Sequence, residues 1–257
     1  MNSVKLTFAI IFVLMTLTQC SSTDPENSTE ANNENMLWAK TVGNKAQGID
    51  SLYFPNALKI YGHGELYLGA SEIAEYWSNQ KMSIKEIETT FSVIANNDST
   101  YIYEIGSFND DSGRNFAHLL IKNQGEGIPK RELEALSLYS ATNIEEVKAE
   151  ISDQRDRWMH YCNTHQVDSL VMNLYYPNAV YYNHRTPIND QSALIQEYGY
   201  MGNQQYSLKL IPLHLEVINE QVAFEIGQCE GSYNGKYMLM WFKDEQGEWK
   251  VLMDSNI

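Results

Sequence analysis

In the second half of the chain, apolar side chains recur at helical spacing and later at strand spacing. The helical run predicts one long amphipathic helix, with an apolar stripe made of Ile144, Val147, Ile151, Trp158 and Cys162. Arg155 is expected to lie mostly off this stripe. Thr142 and Glu145 have the spacing of a capping box, which would begin the helix.

Shorter elements follow this opening helix. The pattern predicts helices over 168–176 and from about 190 to 198, with a strand over 179–183 between them. Strands are then expected over 206–217, 221–233, 237–243 and 249–253, and Asn234-Gly235 is a strong hairpin signal. Three helices followed by a bent antiparallel sheet indicate the α+β class.

The same plan occurs twice in the chain. Residues 53–76 align with residues 175–198 without a gap, so that Pro55-Asn56-Ala57 matches Pro177-Asn178-Ala179. Tyr103-Glu104-Ile105-Gly106 matches Phe224-Glu225-Ile226-Gly227 in the same order along the chain. We therefore predict two consecutive copies of one domain.

The first copy differs from the second at its end. No counterpart of the last strand follows residue 126, so the first domain is predicted over 37–128 without that strand, and the second over 144–257. Residues 129–143 are predicted to form a helical linker, because Pro129 suits a first helical turn. Leu133, Leu136 and Tyr139 of this linker, or the second domain itself, would cover the open sheet edge, so we expect tight packing of the two domains.

The first residues have the pattern of an export signal. Lys5 precedes an uncharged apolar stretch that is too short for a comfortable membrane span. Leu17-Thr18-Gln19-Cys20 resembles the lipobox of bacterial lipoproteins, apart from Gln19. The resemblance implies a signal peptide over 1–19, lipidation of Cys20, a polar tether over 20–36 and anchoring to a bacterial membrane, the outer membrane being favoured. The alternative is an ordinary cleaved signal.

Charge narrows the classes of partner. The 257 residues include 33 Asp and Glu against 18 Lys and Arg, a formal net charge of -15. Nucleic acid is therefore excluded as a partner, and anionic headgroups would not hold the chain at a membrane without acyl chains. Cys162 and Cys229 could form a disulfide in an exported compartment or remain two buried thiols.

Asp168-Ser169-Leu170, Tyr176-Pro177-Asn178-Ala179-Val180 and the closing residues 247–254 resemble nuclear transport factor 2-like domains. This superfamily includes ketosteroid isomerases and SnoaL-like polyketide cyclases. The resemblance implies two cystatin-like cones, in each of which a strongly curved sheet wraps the helices and leaves a pocket at its open end.

Tyrosine is the abundant aromatic residue, with 17 Tyr against 8 Phe and 5 Trp. It can line a pocket with a flat face while its hydroxyl keeps a partner, although core packing is the alternative for each residue. Pocket candidates in the second domain are Trp158, Tyr161, Tyr181, Asn183, Tyr198, Tyr237 and Trp241. Those in the first are Trp38, Tyr61, His63, Tyr76, Trp77, Glu104 and His118.

The isomerase resemblance implies a carboxylate base at a position that holds Tyr61 in one copy and Asn183 in the other. Neither can act as that base near neutral pH, and the family's polarising tyrosine corresponds to Trp158, so isomerase activity is disfavoured. Polyketide cyclases place their acid–base group elsewhere, which leaves His184, Glu225 or Asp254. No metal site or cofactor is expected from the spacing of the histidines and cysteines.

Three functions remain open. The favoured one is a lipid-anchored envelope protein whose cones bind a small apolar or aromatic ligand without catalysis. The second is an enzyme of the cyclase, dehydratase or hydrolase type, with His184 or Asp254 as its acid–base group. The third is an assembly module that pairs through its sheets, either within the chain or as a homodimer.

Overall fold

Residues 25–62, 64–95, 100–125 and 127–256 are described by the structure, a computed structural model. The predicted signal peptide, the lipidation site Cys20 and the pocket candidate His63 lie outside these residues. None of the helices within the described ranges has both the length and the apolar character needed to cross a membrane.

The first domain, termed cone one, packs two helices on one mixed sheet. Its elements are α1 (Pro25–Gly43), β1 (Tyr53–Tyr61), β2 (Glu65–Leu68), α2 (Ala70–Asn79), β3 (Ile84–Ile94), β4 (Tyr101–Asp110), β5 (Asn115–Asn123) and β6 (Lys130–Leu138). The strand order is β2-β1-β6-β5-β4-β3, and β1 runs parallel to β6. The first and last long strands of the domain are therefore neighbours.

The second domain, termed cone two, repeats this arrangement with three helices. Its elements are α3 (Ile144–Asn163), α4 (Val167–Leu174), β7 (Tyr175–Tyr182), α5 (Gln191–Glu197), a 3₁₀ helix (Tyr198–Gly202), β8 (Leu208–Val217), β9 (Val222–Gly231), β10 (Lys236–Lys243) and β11 (Trp249–Asn256). The strand order is β7-β11-β10-β9-β8, with β7 parallel to β11. The predicted α+β class is confirmed.

Each sheet packs on its own helices with one face and on the other domain with the opposite face. One apolar core lies between the cone-one sheet and α1 and α2, and another between the cone-two sheet and its three helices. A third buried cluster contains residues of both sheets, among them Ile105, Leu119, Phe224 and Met240. Burial of this cluster holds the two domains together through the hydrophobic effect.

Residues 130–138 form strand β6, so the predicted helical linker is wrong and cone one does have its last strand. The sequence is rich in helix-forming Glu, Leu and Ala, but β1 and β5 pair with it on both sides, and this pairing overrides propensity. Its charged residues Arg131, Glu132 and Glu134 are buried and make polar contacts. The edge cover proposed for Leu133, Leu136 and Tyr139 is therefore unnecessary.

The N-terminal boundaries also differ from the predictions. Helix α1 begins at Pro25, inside the predicted tether, and Glu34 is fully buried, because its carboxylate pairs with Lys122 and Arg131. In the second domain, Asn143 rather than Thr142 caps α3 by accepting the Glu146 N–H. Arg155 of α3 faces inward instead of lying off the apolar stripe.

Candidate functional site

The two cones place carboxylates at corresponding positions of their sheets. Lys59 on β1 is the register partner of Glu134 on β6, and Tyr181 on β7 is the register partner of Asp254 on β11. Glu134 and Asp254 are therefore equivalent, since each lies on the last strand beside the first. The sequence repeat makes Glu104 and Glu225 the second equivalent pair, on β4 and β9.

A glycine shared by the repeats lies two residues after each member of this second pair. Gly106 is covered by the ring of His118 and Gly227 by the ring of Tyr237, with no room for a β-carbon at either position. The ring then lies across the strand and approaches the carboxylate from the neighbouring strand. His118 approaches Glu104 at 3.3 Å, and Tyr237 donates to Glu225 at 2.6 Å.

The interior of cone one is filled by a network of buried charges. Its fully buried members are Glu34, Lys59, Glu104, Lys122, Arg131 and Glu134. Arg131 contacts Glu34 at 2.9 Å and Glu134 at 2.7 Å, and Lys122 contacts Glu34 at 2.8 Å and Glu104 at 2.9 Å. Three carboxylates thus face three cations, so their charges balance inside the cone.

Lys59 completes the network on the side of α2. Its ammonium lies 3.0 Å from Glu134 and over the rings of Tyr76 and Trp77, 4.6 Å and 4.4 Å from their centroids. Tyr53 donates to the same carboxylate at 2.8 Å. This is an ammonium held by a carboxylate and two aromatic faces, an arrangement in which Coulomb and cation–π attraction act together.

These pairings set the protonation of cone one. Burial disfavours ionisation of Glu134, but Lys59 and Arg131 more than offset it and hold the pKa of Glu134 below its ordinary value. In the same way, Lys122 overcomes burial and holds the pKa of Glu104 well below its usual range. Burial lowers the pKa of Lys59, while Glu134 favours its ammonium form. The three carboxylates and three cations of this buried network are therefore all paired with one another.

Of the two equivalent carboxylates in cone two, Glu225 is the one that pairs with a cation of the described residues. Arg155 of α3 contacts it through two nitrogens, at 2.8 Å and 3.0 Å, and Trp241 donates its indole N–H at 2.9 Å. The predicted pocket residues Tyr237 and Trp241 therefore use their polar atoms to fix this ion pair. They position Glu225 instead of presenting free groups to a ligand.

Asp254 has no such cation. It accepts hydrogen bonds from the hydroxyls of Tyr175, at 2.7 Å, and Tyr198, and within the described part of the chain no lysine, arginine or histidine forms an ion pair with it. Burial raises the pKa of Asp254 to about 6, although the two tyrosine hydrogen bonds act in the opposite direction. This carboxyl group titrates close to physiological pH.

A tyrosine-lined opening lies above Asp254. The outer part, termed the tyrosine cleft, has a volume of about 640 Å³ and is lined by Tyr181, Tyr200, Asn203, Gln205, Tyr206, Ser232, Tyr233 and Asn256. It shares Tyr200, Tyr206, Tyr233 and Asn256 with a narrow inner chamber of about 30 Å³, of which Asp254 is part. The chamber has room for about one water molecule.

The structure brings some of the predicted pocket residues together and separates others. Tyr181 lines the cleft, while Trp158, Tyr198 and Tyr237 line the chamber. Tyr161 packs half-buried against the core, and Asn183 donates to the Tyr181 hydroxyl at 3.3 Å.

His184 lies at the boundary between the domains, not in the cone. It contacts Glu132 of β6 and packs against Tyr101 of β4, whose ring centroid is 4.0 Å from its own. Tyr182 donates to the same glutamate at 2.6 Å. His184 is therefore removed as an acid–base candidate for cone two, whereas Asp254 stays.

Sequence reasoning missed most of the cleft. Tyr200, Tyr206 and Tyr233 were not singled out, and only the overall excess of tyrosine indicated them.

Cys162 and Cys229 are separate buried thiols, and burial raises the pKa of each to about 12. Within the described ranges, His, Cys, Asp and Glu side chains form no group of three or more that could hold a metal ion.

Comparison with known proteins gives structural neighbours only. No protein-family model and no curated protein matches the chain. An NTF-2 like protein of unknown function from Shewanella oneidensis MR-1 is 13% identical over 42% of this chain and 96% of its own, with a TM-score of 0.38. An NTF2-like superfamily protein from Salmonella enterica is 20% identical over 44% of this chain and 91% of its own, with a TM-score of 0.38.

A third solved structure, a cystatin-like fold protein from Burkholderia xenovorans, is 12% identical over 46% of this chain and 96% of its own, with a TM-score of 0.37.

Proposed function

We propose that the chain is a lipid-anchored envelope protein in which cone two binds a small apolar or aromatic molecule and cone one serves as a closed structural partner. The observation that supports this most is the contrast between the two interiors. Cone one is filled by its own charged side chains, whereas cone two opens into the tyrosine cleft. A concave opening that offers both aromatic faces and the hydrogen-bonding side chains Asn203, Gln205, Ser232 and Asn256 has the character of a small-molecule site.

Binding without turnover is favoured by the way the polar groups are arranged. Glu225 is fully buried, and its carboxylate oxygens already accept hydrogen bonds from Arg155, Tyr237 and Trp241, so they are not available to a ligand.

Saturation-transfer NMR with 2-phenylethanol and indole tests the proposal. We expect both probes to bind the full chain. Tyr206→Ala, which enlarges both the cleft and the chamber, should weaken their binding.

The matched control is Tyr67→Ala, since Tyr67 lies on β2 of cone one. It should leave binding of both probes unchanged. Absence of binding to the unmodified protein would contradict the proposal, as would equal loss in the two variants.

Anchoring has its own test. A Cys20→Ala variant should move from the membrane fraction to the soluble fraction after cell lysis, because acyl chains supply the attraction that the acidic chain lacks. A variant that stays with the membrane would contradict the lipid anchor and leave the binding site unaffected.

The second candidate function is acid–base catalysis by Asp254 in a cyclase, dehydratase or hydrolase. The pKa of about 6 favours it, because an acid–base group works best when its pKa is near the working pH. Incubation with a metabolite extract, followed by mass spectrometry, distinguishes the two. If the wild-type protein consumes a metabolite and Asp254→Asn does not, the protein is an enzyme. If a metabolite is recovered bound to the protein and chemically unchanged, binding alone is supported.

A further inference from the structure

The internal repeat provides a direct comparison for the ligand of cone two. In cone one, the Lys59 ammonium is paired with Glu134 at 3.0 Å and lies over the ring of Tyr76. The equivalent carboxylate in cone two is Asp254, and the residue in register with it is Tyr181. Cone two therefore retains the carboxylate but has lost the ammonium that neutralises it in cone one.

The aromatic surroundings of that ammonium are retained in part. In the repeat, Tyr76 corresponds to Tyr198 and Tyr53 corresponds to Tyr175, whereas Trp77 is replaced by Gly199. Both tyrosines of cone two contact Asp254, and Tyr198 lines the inner chamber. The carboxylate and one aromatic face of an ammonium site are thus present, whereas the described residues supply no cation at this position.

We propose that cone two binds an organic cation, a primary ammonium carried on an aromatic or apolar body, with its nitrogen in the inner chamber against Asp254. This inference rests on the proposed function, because it names the ligand class of the same site. The chamber of about 30 Å³ suits an ammonium group, which is roughly the size of a water molecule, and the cleft of about 640 Å³ suits the body that carries it.

Physical chemistry favours a cation over a neutral or anionic ligand here. An unpaired buried carboxylate is costly, and a bound ammonium would offset that cost by direct pairing. The rings at the chamber can add cation–π attraction. The chain also carries 33 acidic against 18 basic residues, and a field of that sign raises the local concentration of cations.

Asp254 is the group around the chamber that changes charge between pH 5 and 8. Besides Tyr175 and Tyr198, the titratable groups that face it are Cys162 on α3, Cys229 on β9, Tyr181 on β7, Tyr200 in the 3₁₀ helix and Tyr233 after β9. The pKa of every one is raised, chiefly by burial, so all stay neutral there. Glu197, at the end of α5, is the acidic side chain that contributes to the raised pKa values of Tyr181 and Tyr200.

Isothermal titration calorimetry of the full chain with three matched probes tests the inference: phenethylammonium, neutral 2-phenylethanol and anionic 3-phenylpropanoate. At pH 7.5 we expect phenethylammonium to bind at least about tenfold more tightly than the alcohol, and the alcohol more tightly than the anion. Between pH 7 and pH 5 the ammonium affinity should fall about tenfold, because Asp254 becomes protonated, while the alcohol affinity should not change.

Two variants complete the experiment. Asp254→Asn should abolish the preference for the ammonium probe while retaining the alcohol. Tyr181→Lys places the chain's own ammonium at the position of Lys59 and should exclude phenethylammonium, whereas the control Tyr181→Phe should bind it. Because the pH titration uses the unmodified protein, the inference can still be contradicted if a variant does not fold.

The outcomes separate this inference from the proposed function. Equal binding of alcohol and ammonium at pH 7.5, an ammonium affinity that does not fall between pH 7 and pH 5, or an ammonium preference that persists in Asp254→Asn would overturn the cation and leave a small-molecule site. Binding of none of the three probes would overturn both.

Discussion

The two cones share one arrangement of strands but differ in the partners of their buried carboxylates. In cone one, Glu134 and Glu104 are neutralised by Lys59, Arg131 and Lys122, and the interior is full. In cone two, the partners of Asp254 among the described residues are the hydroxyls of Tyr175 and Tyr198, and Asp254 lies beneath a cleft. At equivalent strand positions, the carboxylate thus forms ion pairs in cone one and lacks a cation partner among the described residues in cone two.

This difference changes the direction in which pH affects each cone. The lowered pKa values of Glu104 and Glu134 mean that their ion pairs stabilise cone one at neutral pH and are lost as the pH falls through those pKa values. The raised pKa of Asp254 makes the stability of cone two depend on pH in the opposite direction. Its contribution is fully present below the unfolded pKa near 4 and is lost as the pH rises through about 6.

The largest expected effect is the loss of one cation from cone one. Arg131→Met leaves Glu34 without its guanidinium partner and weakens the network around Glu134, so the free energy of unfolding should fall by about 3–5 kcal/mol. Urea unfolding at pH 7 followed by tryptophan fluorescence measures this. The control is Lys209→Met, because the Lys209–Glu230 pair is exposed, and its loss should cost at most about 1 kcal/mol. Similar losses in the two variants would show that the network adds nothing to an ordinary surface pair.

The second effect is a gain of stability in cone two. Asp254→Asn removes the unpaired charge while keeping an acceptor for Tyr175 and Tyr198, so at pH 8 the free energy of unfolding should rise by about 2–3 kcal/mol. At pH 4 the variant and the wild type should differ little, because Asp254 is then protonated in the folded protein. Asp153→Asn, on the exposed face of α3, should change stability little at either pH. Destabilisation by Asp254→Asn at pH 8 would mean that the carboxylate has a partner after all.

The fold of cone two could be predicted almost completely from the sequence, but that of cone one could not. In cone two, the spacing of apolar residues differs clearly between helices and strands, so the elements from α3 to β11 occur in the predicted order. In cone one, the charges of α1 and β6 point inward instead of toward solvent. Glu34, Arg131 and Glu134 satisfy one another only after folding, and a polar pattern read along the chain cannot reveal that.

The candidate site was predictable only in part for the same reason. Asp254 was an acid–base candidate and Tyr181 and Tyr198 were pocket candidates, because strand position and aromatic character are visible in the sequence. Which carboxylate lacks a cation depends on contacts between distant segments. Arg155 reaches Glu225 from 70 residues away, and His184 is diverted to Glu132 by the packing of the two domains.

The smallest effect concerns the segment that was predicted to be a tether. In cone one the opening helix supplies a carboxylate, Glu34, to cations of the sheet, whereas in cone two it supplies a cation, Arg155, to a carboxylate. Glu34→Gln retains an acceptor but removes the charge, so the free energy of unfolding should fall by roughly 1–2 kcal/mol, the difference between charged and neutral hydrogen bonds. Hydrogen exchange should increase mainly in α1, because this side chain fixes that helix to the sheet. Asn33→Ala, one residue away and exposed, should change neither quantity. If the two variants behave alike, residues 25–36 act as a tether and the closure of cone one comes from its sheet alone.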